Sequence, residues 1–183
     1  NGGKGKALAD GVKKADELGL THVLQIDSDG QHDAERVGHF VEVSKKNPDA
    51  IICAYPEYDE SAPKHRVNGR TIANAWIHTV TLSKQIKDGM IGFRIYPVAP
   101  YVKLLNSHAI IDARMGYDID ILVRLFWKNV PVICESVKVT YPVDGVSNFR
   151  LVRDNARISL TYARLFLGMI VRLPILIYRK IKG

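Results

Sequence analysis

The run Thr21-His22-Val23-Leu24-Gln25-Ile26 stops at Asp27-Ser28-Asp29-Gly30, and no other stretch restricts the fold of this chain so strongly. A short β-rich run bounded by an acidic turn predicts a strand. Its end then carries two carboxylates one residue apart. Such a pair must sit where water or a cation can reach it, and ligands of open α/β sheets bind at the C-terminal ends of the strands.

The flanking segments predict the rest of such a sheet. Leu8, Val12, Ala15 and Leu18 recur at helical spacing and Gly19 supplies a stop, so Lys4 to Leu18 reads as a helix. Asp33 is placed to cap a second helix carrying Val37, Phe40 and Val41, which Asn47-Pro48 ends, and Ala50 to Ala54 reads as a buried strand. Tyr55 to Lys64, rich in proline and acid, predicts a loop. Further helices are expected from about Arg66 to Gln85, up to about Asn106, and from Tyr117 to Lys128, with strands at Gly92 to Tyr96 and Val130 to Tyr141. This alternation predicts an α/β fold with a Rossmann-like, mostly parallel sheet flanked by helices.

At 183 residues with 46% hydrophobic content, the chain can bury one sizeable core and is too short for two ordinary domains. Its net charge of +7 lies at one end. Arg150, Arg153, Arg157, Arg164, Arg172, Arg179, Lys180 and Lys182 face Asp154 alone, and the residues before them balance. On a helix the first four of these arginines fall within an arc of about 60°. The apolar stretch Leu165 to Val171 follows, broken from Ile175 to Ile177 by Arg172 and Pro174. Neither this stretch nor the run Leu173 to Tyr178 approaches the ~20 residues of a spanning helix. We therefore expect a catalytic body over 1–146 and a basic amphipathic helical tail over 147–183 lying at a membrane surface. Packing of the apolar run on the domain or on a second subunit, giving a homo-oligomer, is the alternative. Nucleic acid would explain the arginines and leave the apolar run unexplained, so none is expected as a partner. Cys53 and Cys134 lie in strand-like runs and read as buried thiols of a reducing compartment. The expected location is cytoplasmic, peripheral at the cytoplasmic face of the membrane.

Two aspartates this close repel unless a cation lies between them. Hard oxygen ligands suit Mg²⁺ or Mn²⁺, which can hold a diphosphate and neutralise charge on a leaving nucleotide, and Gln31 adds a neutral oxygen. A solvated turn is the plain alternative. An EF-hand fits poorly, since Gly30 stands fourth instead of sixth and a strand precedes the loop.

Asn1-x-Gly3-Lys4-Gly5-x-Ala7, followed by Leu24 to His32, resembles the family 2 glycosyltransferases, and among them the dolichyl-phosphate-mannose-synthase-like branch. The resemblance implies a GT-A fold and transfer from a nucleotide-diphosphate sugar, with inversion at the sugar carbon. It implies that Asp29 ligates the metal, that Asp27 serves the ribose or the metal, and that Gln31 is an accessory ligand. The family begins some tens of residues earlier, so the fold is expected to be truncated at the N-terminus, lacking a strand that grips the base.

Lys4 and Gly5 open a helix, where the dipole favours anions, and are expected near the diphosphate. Arg66 and Arg70 lie one helical turn apart and suit one phosphate, such as that of a lipid-phosphate acceptor. Arg94, in Asp88-x-x-x-Gly92-Phe93-Arg94, resembles the stretch before the family's acceptor side, with Asp88 as its structural partner in the plain reading. Gly116-Tyr117-Asp118-Ile119-Asp120 resembles the family's acidic segment at a helix start. One carboxylate there is placed to take a proton from an acceptor hydroxyl; Asp120 is the first choice and Asp118 the second, with capping as the structural alternative. A sugar nucleotidyltransferase and a non-catalytic membrane-binding module are the rival functions.

Overall fold

The computed structural model describes residues 3–27, 34–58, 64–139 and 151–182 and, within these, all side chains but those of 34, 64–66 and 151–153. Helix α1 (Lys4–Glu17) leads to strand β1 (His22–Gln25), and a 3₁₀ turn and helix α2 (Val37–Lys46) lead to β2 (Ile51–Tyr58). Helix α3 (Lys64–Thr81) precedes β3 (Arg94–Pro97), which runs directly into α4 (Val98–Leu105). Helix α5 (Tyr117–Trp127), β4 (Val132–Val139) and the long α6 (Leu151–Lys182) follow.

The strands lie in the order β1-β3-β2-β4. β2 and β4 pair in parallel from Ile51↔Val132 to Tyr58↔Val139, whereas β3 runs antiparallel to both β1 and β2. Three strands thus share one direction and β3 opposes them, so the expected mostly parallel sheet is parallel in one ladder of three. The burial pattern that marks Arg94–Pro97 as a strand carries no information on direction. β2 also extends four residues beyond the expected strand, through Pro56. Its recorded pairing with β3 is confined to Ile52 and Cys53, which leaves the Pro56 side of β2 without that ladder and tolerant of a missing N–H.

Alternate residues of the strands feed two cores. Ile51, Cys53, Tyr96 and Val132 join a large cluster with α1, α3, α4, α5 and α6 on one face. Ile52, Ala54, Ile95, Val137 and Val139 close over α2 on the other, where Phe40 and Phe93 stack with ring centroids 4.3 Å apart. This division follows from the two-residue period of a strand.

Helix α6 is both packed and exposed. Tyr162, Leu165, Met169 and Leu176 recur at helical spacing and enter the large cluster, and Tyr162 donates its hydroxyl to the Ala73 carbonyl of α3 at 3.1 Å. Leu167, Ile170, Val171, Ile175 and Ile181 face outward. The segment Asp154–Lys182 contains an 18-residue window of mean hydropathy 1.7, and is long and apolar enough to cross a membrane by length and composition. The reading by uninterrupted runs misses this because Arg172 and Pro174 split the segment.

Candidate active site

Three elements converge at the end of β1. Gly3, with φ +83°, takes a backbone conformation that L side chains rarely adopt and starts α1 so that Lys4 faces the strand end. Gly5 lies against the Tyr117 ring, where a built Cβ would come within 2.6 Å, and its N–H donates to the Ala113 carbonyl at 3.1 Å. The two glycines therefore hold α1 tightly against the start of α5. The Gly5 amide, expected at an anion, is committed to protein.

The Lys4 ammonium lies 2.6 Å from Asp27 Oδ1 and 2.7 Å from Asp118 Oδ2. Asp118 Oδ1 accepts a hydrogen bond from Gln25 Nε2 at 2.8 Å, and the backbone carbonyl of Asp118 accepts one from Arg94 Nη1 at 2.8 Å. Burial disfavours the charge on Lys4, but Asp118 and Asp27 together outweigh it and hold the pKa above the ordinary lysine value. The cluster is one cation between two carboxylates. Asp27 and Asp118 offer hard oxygen donors of the kind Mg²⁺ and Mn²⁺ prefer, and they already hold a positive charge between them, so the donor chemistry fits such an ion. Among the described residues no three His, Cys, Asp or Glu side chains group to hold one. Asp29 and Gln31, expected as ligands, lie outside the described residues, as does the side chain of Arg66.

The paired aspartates of α5 face different ways, as a 200° separation on a helix requires. Asp118 belongs to the Lys4 cluster. Asp120, expected as the acceptor-side group, is fully buried: it accepts from the Asp112 N–H at 2.9 Å, pairs with Arg124 one turn on, and lies 3.9 Å from Arg164 of α6. Burial raises the Asp120 pKa, against the pull of Arg124 and Arg164. Its carboxylate ties α5, the preceding loop and α6 together.

Two further expected groups are enclosed. Arg94 is 0% exposed, shares Nη1 between Tyr96 Oη at 3.0 Å and the Asp118 carbonyl, and leaves Nε and Nη2 without partners among the described residues. It sits beneath the start of α5 instead of at an open surface. Arg70 binds the buried Asp88 at 3.2 Å, so Asp88 pairs with Arg70 and not with Arg94. Asp88 in turn accepts the N–H groups of Met90 and Ile91, fixing the turn that leads to Gly92. Gly92 lies against the Asp27 carboxylate, with no room for a Cβ.

Gln25 and Gly92 were not among the expected site residues. Gln25 shares a strand face with Asp27 by the two-residue period, and that spacing was the available signal.

The fold has a solved counterpart. Glucosyl-3-phosphoglycerate synthase from Mycobacterium tuberculosis, in complex with phosphoglyceric acid, superposes with a TM-score of 0.61 at 14% sequence identity. That enzyme is a glycosyltransferase, and this chain shares its fold. The match covers 89% of this chain and 55% of the other, so the chain spans about half the length of that structure. No family model and no curated protein matches the sequence. In this shared fold the Lys4, Asp27 and Asp118 cluster lies where β1 ends.

Proposed function

We propose that this chain carries the donor site of a metal-dependent family 2 glycosyltransferase, related to the dolichyl-phosphate-mannose-synthase-like branch, which moves a sugar from a nucleotide diphosphate to an acceptor at a membrane surface. The observation that carries the reading is Lys4 held between Asp118 and Asp27, the first residue of the sequence Asp27-Ser28-Asp29-Gly30, on a fold shared with a solved glycosyltransferase.

Each residue then has a role. Asp29, Asp27 and Gln31 would hold Mg²⁺ or Mn²⁺, which when bound would neutralise the charge developing on the leaving nucleotide. Lys4, one-third exposed, turns from the carboxylates toward the donor diphosphate as that anion enters, a short rotation for a long flexible side chain. Gln25 and Arg94 keep Asp118 in place by its side chain and its carbonyl. Asp118 is the carboxylate of the α5 pair on the donor side. Asp120 acts through Arg124 and Arg164 by fixing the start of α5, and Arg70 acts through Asp88 by fixing Gly92 and hence Asp27. Outward-facing apolar residues of α6, followed by Arg179, Lys180 and Lys182, suit a helix lying at the bilayer interface next to a lipid-phosphate acceptor.

The test is calorimetric titration of UDP and GDP, with and without Mn²⁺, into this chain and its Asp29→Ala variant. Metal-dependent binding that disappears in the variant is expected. Metal-independent binding, or equal binding by both proteins, overturns the donor-site assignment.

A further inference from the structure

A cavity of about 400 Å³ opens between the loop after α4, the C-terminal end of α5 and α6. Its polar lining is cationic: Arg124, Lys128 and Arg172 surround it with Ser107 and Trp127, and no carboxylate is among the described lining residues. The Arg172 guanidinium lies 4.7 Å from the Trp127 ring centroid and donates to the Gly168 carbonyl at 2.8 Å. Arg124 and Arg164 are matched by Asp120 and Asp112, so the excess positive charge at this corner is that of Lys128 and Arg172. Burial and the neighbouring Arg124 both push the Arg172 pKa below its ordinary value, the response of a cation lacking a nearby anion.

The surroundings of the cavity indicate what kind of anion fits. At 100° per residue, Ile175, Val171 and Leu167 fall in the row of α6 beside Arg172, and Val171 is 80% exposed. A soluble phosphate has no use for that row, whereas a lipid has both a phosphate and chains. Lys128 lies ten residues beyond Asp118, about 15 Å along α5 at the ordinary helical rise, so the cavity is separate from the donor cluster.

We propose that this cavity is an anchoring site for an anionic membrane lipid, in which Arg172, Lys128 and Arg124 receive the phosphate while the acyl chains lie along Ile175, Val171 and Leu167. The inference rests on the membrane-surface part of the proposed function and is independent of the donor site. It gives α6 a fixed contact with one headgroup, in addition to the diffuse attraction of a basic helix for a charged surface.

Co-sedimentation with vesicles of phosphatidylcholine alone, and of phosphatidylcholine with phosphatidylglycerol, tests it on the full chain. The unaltered protein should prefer the anionic vesicles. Lys128→Gln with Arg172→Gln should lower that binding by about five-fold for each cation removed, and Lys45→Gln with Lys46→Gln on α2, an equal loss of charge, should change it less than two-fold. Lys128→Gln alone, an exposed position that closes α5, should lose about five-fold and guards against misfolding of the double variant. Equal losses in the two pairs, or release from vesicles by millimolar glycerol phosphate, would overturn the lipid site. Binding to neither vesicle overturns the membrane reading beneath it, while nucleotide titration of the same sample reports separately on the donor site.

Discussion

Gly92 lies directly against the Asp27 carboxylate, and a methyl group at position 92 would occupy the space the Asp27 oxygens now fill. Residue 92 is a glycine because the wall behind the Asp27 carboxylate must be bare backbone. Gly92→Ala should push Asp27 outward with little loss of stability, because Asp27 is a side-chain end at a partly open site. Misplacement of a positioning group by about 1 Å can cost on the order of 100-fold. We expect metal-dependent nucleotide binding to weaken by at least ten-fold, with the thermal midpoint nearly unchanged. An unaltered dissociation constant for UDP or GDP would show that Asp27 is not held by this contact.

Lys4 neutralises two carboxylates at once, so its removal leaves Asp27 and Asp118 facing each other. The ammonium is one-third exposed, and water offsets part of the loss. Lys4→Met should cost about 1–2 kcal/mol, or roughly 2–8 °C in thermal midpoint for a chain of this size. Added Mn²⁺ should return part of that loss in the variant more than in the unaltered protein. A variant as stable as its parent, with no response to Mn²⁺, contradicts the bridge.

Asp118 and Asp120 separate stability from binding. Asp120→Asn leaves Arg124 without its buried counter-charge and Arg164 with Asp112 alone, and should cost about 3 kcal/mol, seen as a fall of roughly 6–12 °C on heating. Asp118→Asn removes one partner of a half-open lysine and should lower the midpoint less, while weakening nucleotide binding more. The reverse order of effects would return the site role to Asp120.

The same pair shows how far the chain could be read before its structure. The strand that leads to Asp27, the helix starting at Lys4 and the aspartates at the start of α5 were all legible, since each depends on local spacing. Which aspartate of α5 faces β1 depends on what packs around the helix. One signal was present: Arg124 stands four residues after Asp120, the spacing of an intrahelical ion pair. The direction of β3 was not legible, because Arg94–Pro97 is buried on both faces whichever way it runs. Arg70 was expected at a phosphate for the same kind of reason. Its carboxylate partner, Asp88, lies eighteen residues away and was assigned to Arg94 by proximity in sequence.

Cys53 and Cys134 occupy paired positions on β2 and β4, and both are free. Burial pushes the Cys53 thiol up to about 12, and burial also raises Cys134, against the pull of the Lys87 backbone and charge. The thiolate is the reactive form, so both should resist alkylation at pH 8, Cys134 less so because it is only half-buried. The fold holds Cys53 neutral. Its contribution to stability is therefore whole below the ordinary thiol value of 9.0 and is lost as pH rises from there toward 12. Mass-spectrometric labelling with iodoacetamide should modify Cys134 first and Cys53 only on global unfolding, and Cys53→Ala should flatten the decline in thermal midpoint between pH 9 and 11. Prompt double labelling of the native chain at pH 8 would mean that β2 is open to solvent on the time scale of the reaction, and so that the core beneath the candidate site is not closed.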